Sequence, residues 1–222
     1  MIRHAKPNET VENIAIIINI FYEVYRSSKS KTFAKYSDSE KINLLKQIFL
    51  MKNHYFSYEN YIVHEENGHI NGITLVVLHQ ESYQLKVNTF KILSKIFQID
   101  LDFEIENESK EKEVYLDTFG VKSDFQGQGI GTKIMLFIVE QYQEQSDISY
   151  LSLNVSFKND KARKLYERVG FQKNGELSIN YHPFYHIINL VRRSDIRDRT
   201  CNAESNIVGI PYTHRKRKTI YD

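Results

Sequence analysis

Tryptophan is absent from the 222 residues, and the chain carries only one cysteine, Cys201, and three prolines. A single thiol makes no internal disulfide, so stability must come from a packed core, and the usage fits a reducing compartment. Cys201 lies in a polar stretch without a cysteine partner. His182 and His186 are split by Pro183, which breaks any shared helix. Neither histidine falls in a metal-ligand spacing, and no metal is expected. No apolar run approaches the roughly 20 residues that cross a bilayer. The start Met1-Ile2-Arg3-His4 lacks the apolar core of a signal segment, so a cytoplasmic address without a membrane partner is expected. A dominant charge sign is missing too, with 30 Lys and Arg against 28 Asp and Glu. At 41% hydrophobic, the composition suits one domain with a sizeable core.

Glycine is sparse, nine residues in all. Three of them crowd into Gln126-Gly127-Gln128-Gly129-Ile130-Gly131, between a strand-like run and an amphipathic helix. The first turn of a helix leaves several N–H groups without carbonyl partners, and the helix dipole adds positive charge there. Anions settle at such ends, and glycine removes the side chains that would hold a diphosphate away. Two phosphate motifs are excluded by spacing. A G-x-G-x-x-G begun at Gly127 or Gly129 would need glycine where Thr132 or Ile134 stands. A P-loop needs Gly-Lys followed by Ser or Thr, whereas the order here is Gly131-Thr132-Lys133. On spacing alone, a mere tight turn and an anion site both remain open.

The flanks define a crossover unit. Val114 to Val121 is a β-branched and aromatic run that reads as a strand. Ile130, Ile134, Phe137, Ile138 and Tyr142 then recur at spacings of three and four, one face of a helix from about Gln128 to Gln143. Tyr150 to Val155 reads as the next strand, with Leu151, Leu153 and Val155 on one face and Ser152 and Asn154 on the other. A helix from about Asn159 to Val169 follows, closed by Gly170. Strand, helix, strand in this order forms a parallel pair.

These residues resemble a known family. Gln126-x-x-Gly129-x-Gly131 is similar to the Gln/Arg-x-x-Gly-x-Gly/Ala signature of the GNAT superfamily of N-acetyltransferases, and Val121-Lys122-Ser123-Asp124-Phe125 to its strand exit. Asn159-x-x-Ala162-x-x-Leu165-Tyr166-Glu167-Arg168-Val169-Gly170-Phe171 resembles the family's following helix. The likeness extends less sharply over 1–191. Ile2 to Lys6 reads as a first strand, and Pro7 and Asn8 start a helix with a stripe of Ile14, Ile17, Ile18, Phe21 and Tyr25. Ser37 and Glu40 form a capping-box pattern before a helix carrying Ile42, Leu45, Ile48 and Phe49. Tyr61 to Glu65 turns through Asn67-Gly68 into His69 to Leu78 as a hairpin. The resemblance implies a GNAT α/β fold: a mixed, mostly antiparallel twisted sheet flanked by helices, whose fourth and fifth strands splay to admit acetyl-CoA.

It also implies which residues meet acetyl-CoA. The diphosphate would rest on the amides of Gln126, Gly127, Gln128, Gly129, Ile130, Gly131 and Thr132, and the pantetheine arm would pair with the backbone of Phe119 and Val121. Asn159 would hydrogen-bond the arm and Tyr166 would approach the sulfur. The expected reaction is direct attack of a primary amine on the thioester. Making an alkylammonium of pKa near 10.4 neutral at pH 7 costs about 4 to 5 kcal/mol, so a proton acceptor is worth having. Strand alternation puts Glu113, Tyr115 and Asp117 on one face, with Asp117 the first candidate base, directly or through water, and Glu113 the second. Tyr166 is the candidate acid, since a phenol stays protonated at neutral pH.

Two segments exceed a minimal domain of this kind. Residues 80–112 form an insertion in which Leu85, Phe90, Leu93 and Phe97 indicate a helix. There Asp100, Asp102, Glu104 and Glu106 alternate along Ile99 to Glu106, either as a solvated face or as a surface for a cationic substrate. Residues 192–222 form a basic tail containing His214-Arg215-Lys216-Arg217-Lys218, with Tyr212 and Tyr221 on either side; with a net charge of only +2 overall, nucleic-acid binding is not expected. The acceptor stays open among a polyamine, an aminoglycoside-like molecule, a lysine side chain or a protein N-terminus, and a less polar amine in a tyrosine-lined pocket. A silent acyl-CoA sensor is the rival reading. A homodimer through late strands, Tyr185 to Val191, is a further expectation.

Overall fold

The computed structural model describes residues 1–25, 36–97, 105, 107–179 and 182–190. Seven strands form one open sheet in the order β1-β2-β3-β4-β5-β7-β6. They are β1 (Ile2–His4), β2 (Tyr61–Glu66), β3 (His69–Leu78), β4 (Glu113–Val121), β5 (Tyr150–Ser156), β6 (Gln172–Ile179) and β7 (His182–Leu190). Every neighbouring pair is antiparallel except β4 and β5, which are parallel because a helix connects them. The helices are α1 (Val11–Tyr25), α2 (Asp38–Phe49), α3 (His79–Phe97), α4 (Ile130–Tyr142) and α5 (Asp160–Arg168). No helix among the described residues is long and apolar enough to cross a membrane.

The sheet carries a core on each face. Ile130, Ile134 and Ile138 of α4 and Tyr166 of α5 pack on Val114, Leu116, Leu151, Leu153 and Val155. On the opposite face Ile17 and Ile18 of α1 and Phe49 of α2 pack on Tyr61, Val63, Ile73, Leu75 and Val77. This is the period-two alternation of strands covered on both sides.

Several elements follow their local chemistry. Ser37 accepts the Glu40 N–H while the Glu40 side chain takes the Ser37 N–H, a complete capping box worth about 1 kcal/mol. Asn67 and Gly68 hold φ of 52° and 80°, as the tight hairpin between β2 and β3 requires. Other boundaries differ from the sequence expectation. The first helix begins at Val11 rather than Pro7, because the Glu9 carboxylate accepts the Lys6 N–H and pairs with Arg3 ahead of it. The insertion helix starts at His79 and runs 19 residues. The alternating acidic run at Asp100, Asp102, Glu104 and Glu106 and the basic tail lie outside the described residues.

Candidate active site

The turn before α4 is shaped by backbone angles. Gly127 and Gly129 hold φ of 80° and 77°, the left-handed region that other residues enter at a cost, and Gly129 is the N-cap. The helix therefore starts at Ile130, two residues later than its apolar period indicates. Lys133 N–H bonds the Gly129 carbonyl at 3.0 Å, so the amides of Ile130, Gly131 and Thr132 stand ahead of the first regular helical bond. No acidic residue occupies the first turn. Gln126 and Gln128 brace the turn from outside: Gln126 Nε2 donates to the Val121 carbonyl at 3.0 Å, and Gln128 Nε2 to the Asp124 carbonyl at 3.2 Å. Lys161 reaches Gln126 Oε1 at 3.3 Å.

Gly131 serves differently. A Cβ there would lie 3.1 Å from Phe119 Cζ and 3.2 Å from Leu165 Cδ2, so its bare backbone lets β4, α4 and α5 converge. Gly127 and Gly129 have nothing within 4 Å of an added Cβ and leave open space above the free amides. The turn thus fits an anion of diphosphate size.

Beside this turn the sheet divides. β4 and β5 pair only from Glu113, Val114 and Tyr115 to Tyr150, Leu151 and Ser152, although β4 continues to Val121 and β5 to Ser156. The divergence begins at a bulge: Val76 opposes Leu116 and Thr74 opposes Phe119, so Leu75 faces both Asp117 and Thr118. The extra residue changes the phase of the strand. Phe119 and Val121 thereby rejoin the α4 side with Val114 and Leu116, where strict alternation would turn them away.

Each side of this fork has its own character. On the α4 side stand Phe119, Leu165 and Tyr166, the last packed between Phe119 at 6.2 Å and Phe171 at 5.9 Å. Burial pushes the Tyr166 phenol well above its ordinary value. Its side chain is 7% exposed. Asn159 is the N-cap of α5, its Oδ1 accepting the Ala162 N–H at 3.1 Å, which leaves its Nδ2 for another partner.

The opposite side is polar and acidic. Asp117, half-buried at the bulge, lies near Tyr61 of the α1 core, whose phenol is raised by burial and then by the Asp117 charge. Glu113 is buried where the two strands still pair, its Oε1 3.1 Å from His186 Nε2 and its Oε2 accepting the Lys110 N–H at 2.8 Å. Burial raises the Glu113 carboxyl, but the His186 hydrogen bond and charge and the Lys110 amide outweigh it and hold it below its ordinary value. Three residues here escaped the sequence reading as site residues: Glu108, Asn154 and His186. Asn154 had one signal, its place on the polar face of a strand entering the cleft. His186 had none, since its partners come from other strands.

A separate groove of about 400 Å³ lies between α5 and the β6–β7 hairpin, lined by Arg163, Glu167, Phe171, Lys173 and Tyr185. Its cations are already engaged, Arg163 with Asp160 and Glu167, and Lys173 with Glu176 and the Tyr185 ring. Among the described residues no three His, Cys, Asp or Glu gather as metal ligands.

A mixed seven-stranded sheet that forks beside a glycine turn defines an acyl-CoA-type transferase architecture. The family model for the acetyltransferase (GNAT) family matches residues 18–171, and the chain belongs to that family. The chain is 34% identical over 77 residues to the probable spermine N(1)-acetyltransferase of Bacillus subtilis subsp. natto (strain BEST195), a match covering 35% of this chain and 51% of that protein. The same figures hold for the spermine/spermidine N(1)-acetyltransferase of Bacillus subtilis (strain 168). The chain spans about half the length of these curated relatives. A solved acetyltransferase superposes with a TM-score of 0.73 at 26% identity, over 86% of this chain and 99% of that one. An N-acetyltransferase from Staphylococcus aureus Mu50 shares the fold, with a TM-score of 0.67 at 23% identity over 85% of this chain and 99% of that one.

Proposed function

We propose that this protein transfers an acetyl group from acetyl-CoA to a primary amine of a cationic, polyamine-like acceptor. The observation that carries this reading is the parting of β4 and β5 after Tyr115 and Ser152, beside the open amides at the head of α4. The acetyltransferase domain is read as 1–191, with 192–222 as a tail, in a cytoplasmic protein. Acetyl-CoA supplies an acyl group already activated as a thioester.

The chain's own residues then bind, orient and move protons. The amides from Gln128 to Thr132 and the dipole of α4 hold the diphosphate. The free edge of β4 at Phe119 and Val121 offers its main chain to the pantetheine arm, with Asn159 Nδ2 available from the α5 side. Asp117, on the acidic side of the fork, accepts the proton of the incoming ammonium, directly or through water. The Tyr166 hydroxyl offers a hydrogen bond to the departing sulfur. With its pKa raised above that of a thiol near 8.5, it stabilises the thiolate more than it protonates it.

Asp117, half-buried at the fork, supports a cationic acceptor, and so do the polyamine substrates in the names of the two Bacillus relatives. The test is release of CoA thiol from acetyl-CoA with spermine, spermidine, an aminoglycoside, a lysine peptide and a neutral-pH aromatic amine as acceptors. Turnover with the polyamines is expected to exceed that with the others. Tight acetyl-CoA binding without thiol release for any amine would favour the silent sensor instead.

A further inference from the structure

The last main-chain rung between β4 and β5 is Tyr115 to Ser152, and the next link across the fork is made by side chains. Asn154 Nδ2, two residues further along β5, donates to the Tyr115 hydroxyl at 3.0 Å and to the Glu108 carbonyl at 3.1 Å. The Tyr115 hydroxyl in turn donates to Glu108 Oε2 at 2.8 Å, and Glu108 Oε1 is 3.4 Å from Lys86 of α3. Behind Asn154, its Oδ1 is 2.9 Å from His186 Nδ1, and His186 Nε2 is 3.1 Å from Glu113 Oε1. The chain of contacts runs from a buried carboxylate on β4, through β7 and β5, back to β4 and out to the insertion.

Donor and acceptor rules fix the directions. A main-chain carbonyl only accepts, so the Asn154 amide that faces Glu108 O must be the NH₂, and its Oδ1 must face His186. His186 Nδ1 therefore carries a hydrogen. At His186 Nε2 a bare lone pair against a carboxylate would leave two acceptors in contact, so one proton must sit between that nitrogen and Glu113. Imidazolium with carboxylate and imidazole with carboxylic acid both meet the rule. The charged groups facing His186 come from β4 as Glu113 and, through Asn154 and Tyr115, from the pre-β4 segment as Glu108, with the Lys110 amide behind Glu113.

We propose that Glu113, His186 and Asn154 are positioning residues that clamp Tyr115 of β4 to β5 at the apex of the fork and so set the width of the slot that receives the thioester. This rests on the reading of the fork as the acetyl-CoA site. Glu113 then acts through its neighbours and is not the base, in contrast to its place as second candidate in the sequence. The insertion docks on the same clamp through Glu108, which couples α3 to the slot. A slot misplaced by about 1 Å costs on the order of a hundredfold in rate.

Two kinds of substitution separate a clamp from a base. Tyr115→Phe keeps the ring and deletes only the hydroxyl, and Asn154→Leu keeps volume while deleting all three links of Asn154; each is expected to weaken acetyl-CoA binding, measured by calorimetry, by about tenfold and to lower kcat by at least that. Glu113→Gln retains a hydrogen-bonding side chain against His186 and should lower kcat by no more than about threefold, whereas Glu113→Ala should match Tyr115→Phe. A loss of a hundredfold in Glu113→Gln with Tyr115→Phe unaffected would make Glu113 the base and end the clamp. So would Tyr115→Phe and Asn154→Leu both staying within twofold of the parent in affinity and turnover. Nitrogen NMR of His186 gives a readout independent of activity. A hydrogen on Nδ1, facing Asn154 Oδ1, is expected at pH 7 in the parent and in Glu113→Gln, and a hydrogen on Nε2 alone overturns the network. Parent protein that binds acetyl-CoA but acetylates no amine sinks the proposed reaction while Tyr115→Phe still decides the clamp by affinity. Failure of the parent to bind acetyl-CoA removes both.

Discussion

Alanine substitution at three glycines separates backbone strain from ligand contact. Gly68, Gly127 and Gly129 hold φ of 80°, 80° and 77°, and an added Cβ meets nothing within 4 Å at any of them. The folded-state cost is therefore conformational at all three, about 1 to 2 kcal/mol for an L side chain in the left-handed region. For a chain of this size that is a fall in Tm of roughly 2 to 8 °C. Gly68 sits in the hairpin between β2 and β3, outside the turn before α4, and serves as the matched control. At Gly127 and Gly129 the Cβ enters the space above the amides, where each charge-assisted amide contact with a phosphate is worth about 1.5 to 3 kcal/mol. Losing one contact lowers acetyl-CoA affinity about tenfold or more. Calorimetric titration of acetyl-CoA, with thermal melts on the same samples, measures both effects. Equal stability losses are expected, with affinity lost only in Gly127→Ala and Gly129→Ala. Equal affinities in all three variants would refute the diphosphate role of this turn.

Asp117→Asn keeps shape and removes the proton acceptor, so kcat with a polyamine falls by about 10² to 10⁴ while acetyl-CoA affinity, read by titration, stays the same. Tyr166→Phe keeps the ring and its packing against Phe119 and Phe171, so acetyl-CoA binding and the melt are retained and turnover at saturating substrate falls several-fold. Acid stability follows from Glu113. Its carboxyl is held below the ordinary 4.5 in the folded protein, so the unfolded chain takes up the proton first. That contribution is fully present above about pH 4.5 and is lost as pH falls through the folded value. Melts of Glu113→Gln from pH 6 downward should therefore show a shallower acid decline than the parent.

What was legible in the sequence had local causes. The capping box at Ser37, the Asn67-Gly68 hairpin and the period of α4 each arise from neighbours in the chain, and the structure repeats them. The parallel pairing of β4 and β5 followed from strand, helix, strand order. Strand β6 went unread because it is an edge strand with mostly exposed residues, Gln172, Lys173, Asn174 and Glu176 among them, and so shows no apolar alternation. The bulge at Asp117 and Thr118 left no mark either, since it is set by register against Leu75. The contacts among Glu108, Tyr115, Asn154, His186 and Glu113 join residues up to 73 positions apart, which no spacing within one element records.

The claim that the fork and its glycine turn form the donor site is tested most directly by amide NMR shifts on titration with acetyl-CoA. The largest changes are predicted at Gln128 to Thr132 and at Phe119 to Val121, with smaller ones at Asn159 and Tyr166. Changes centred instead on the groove of Arg163, Lys173 and Tyr185 would contradict the account.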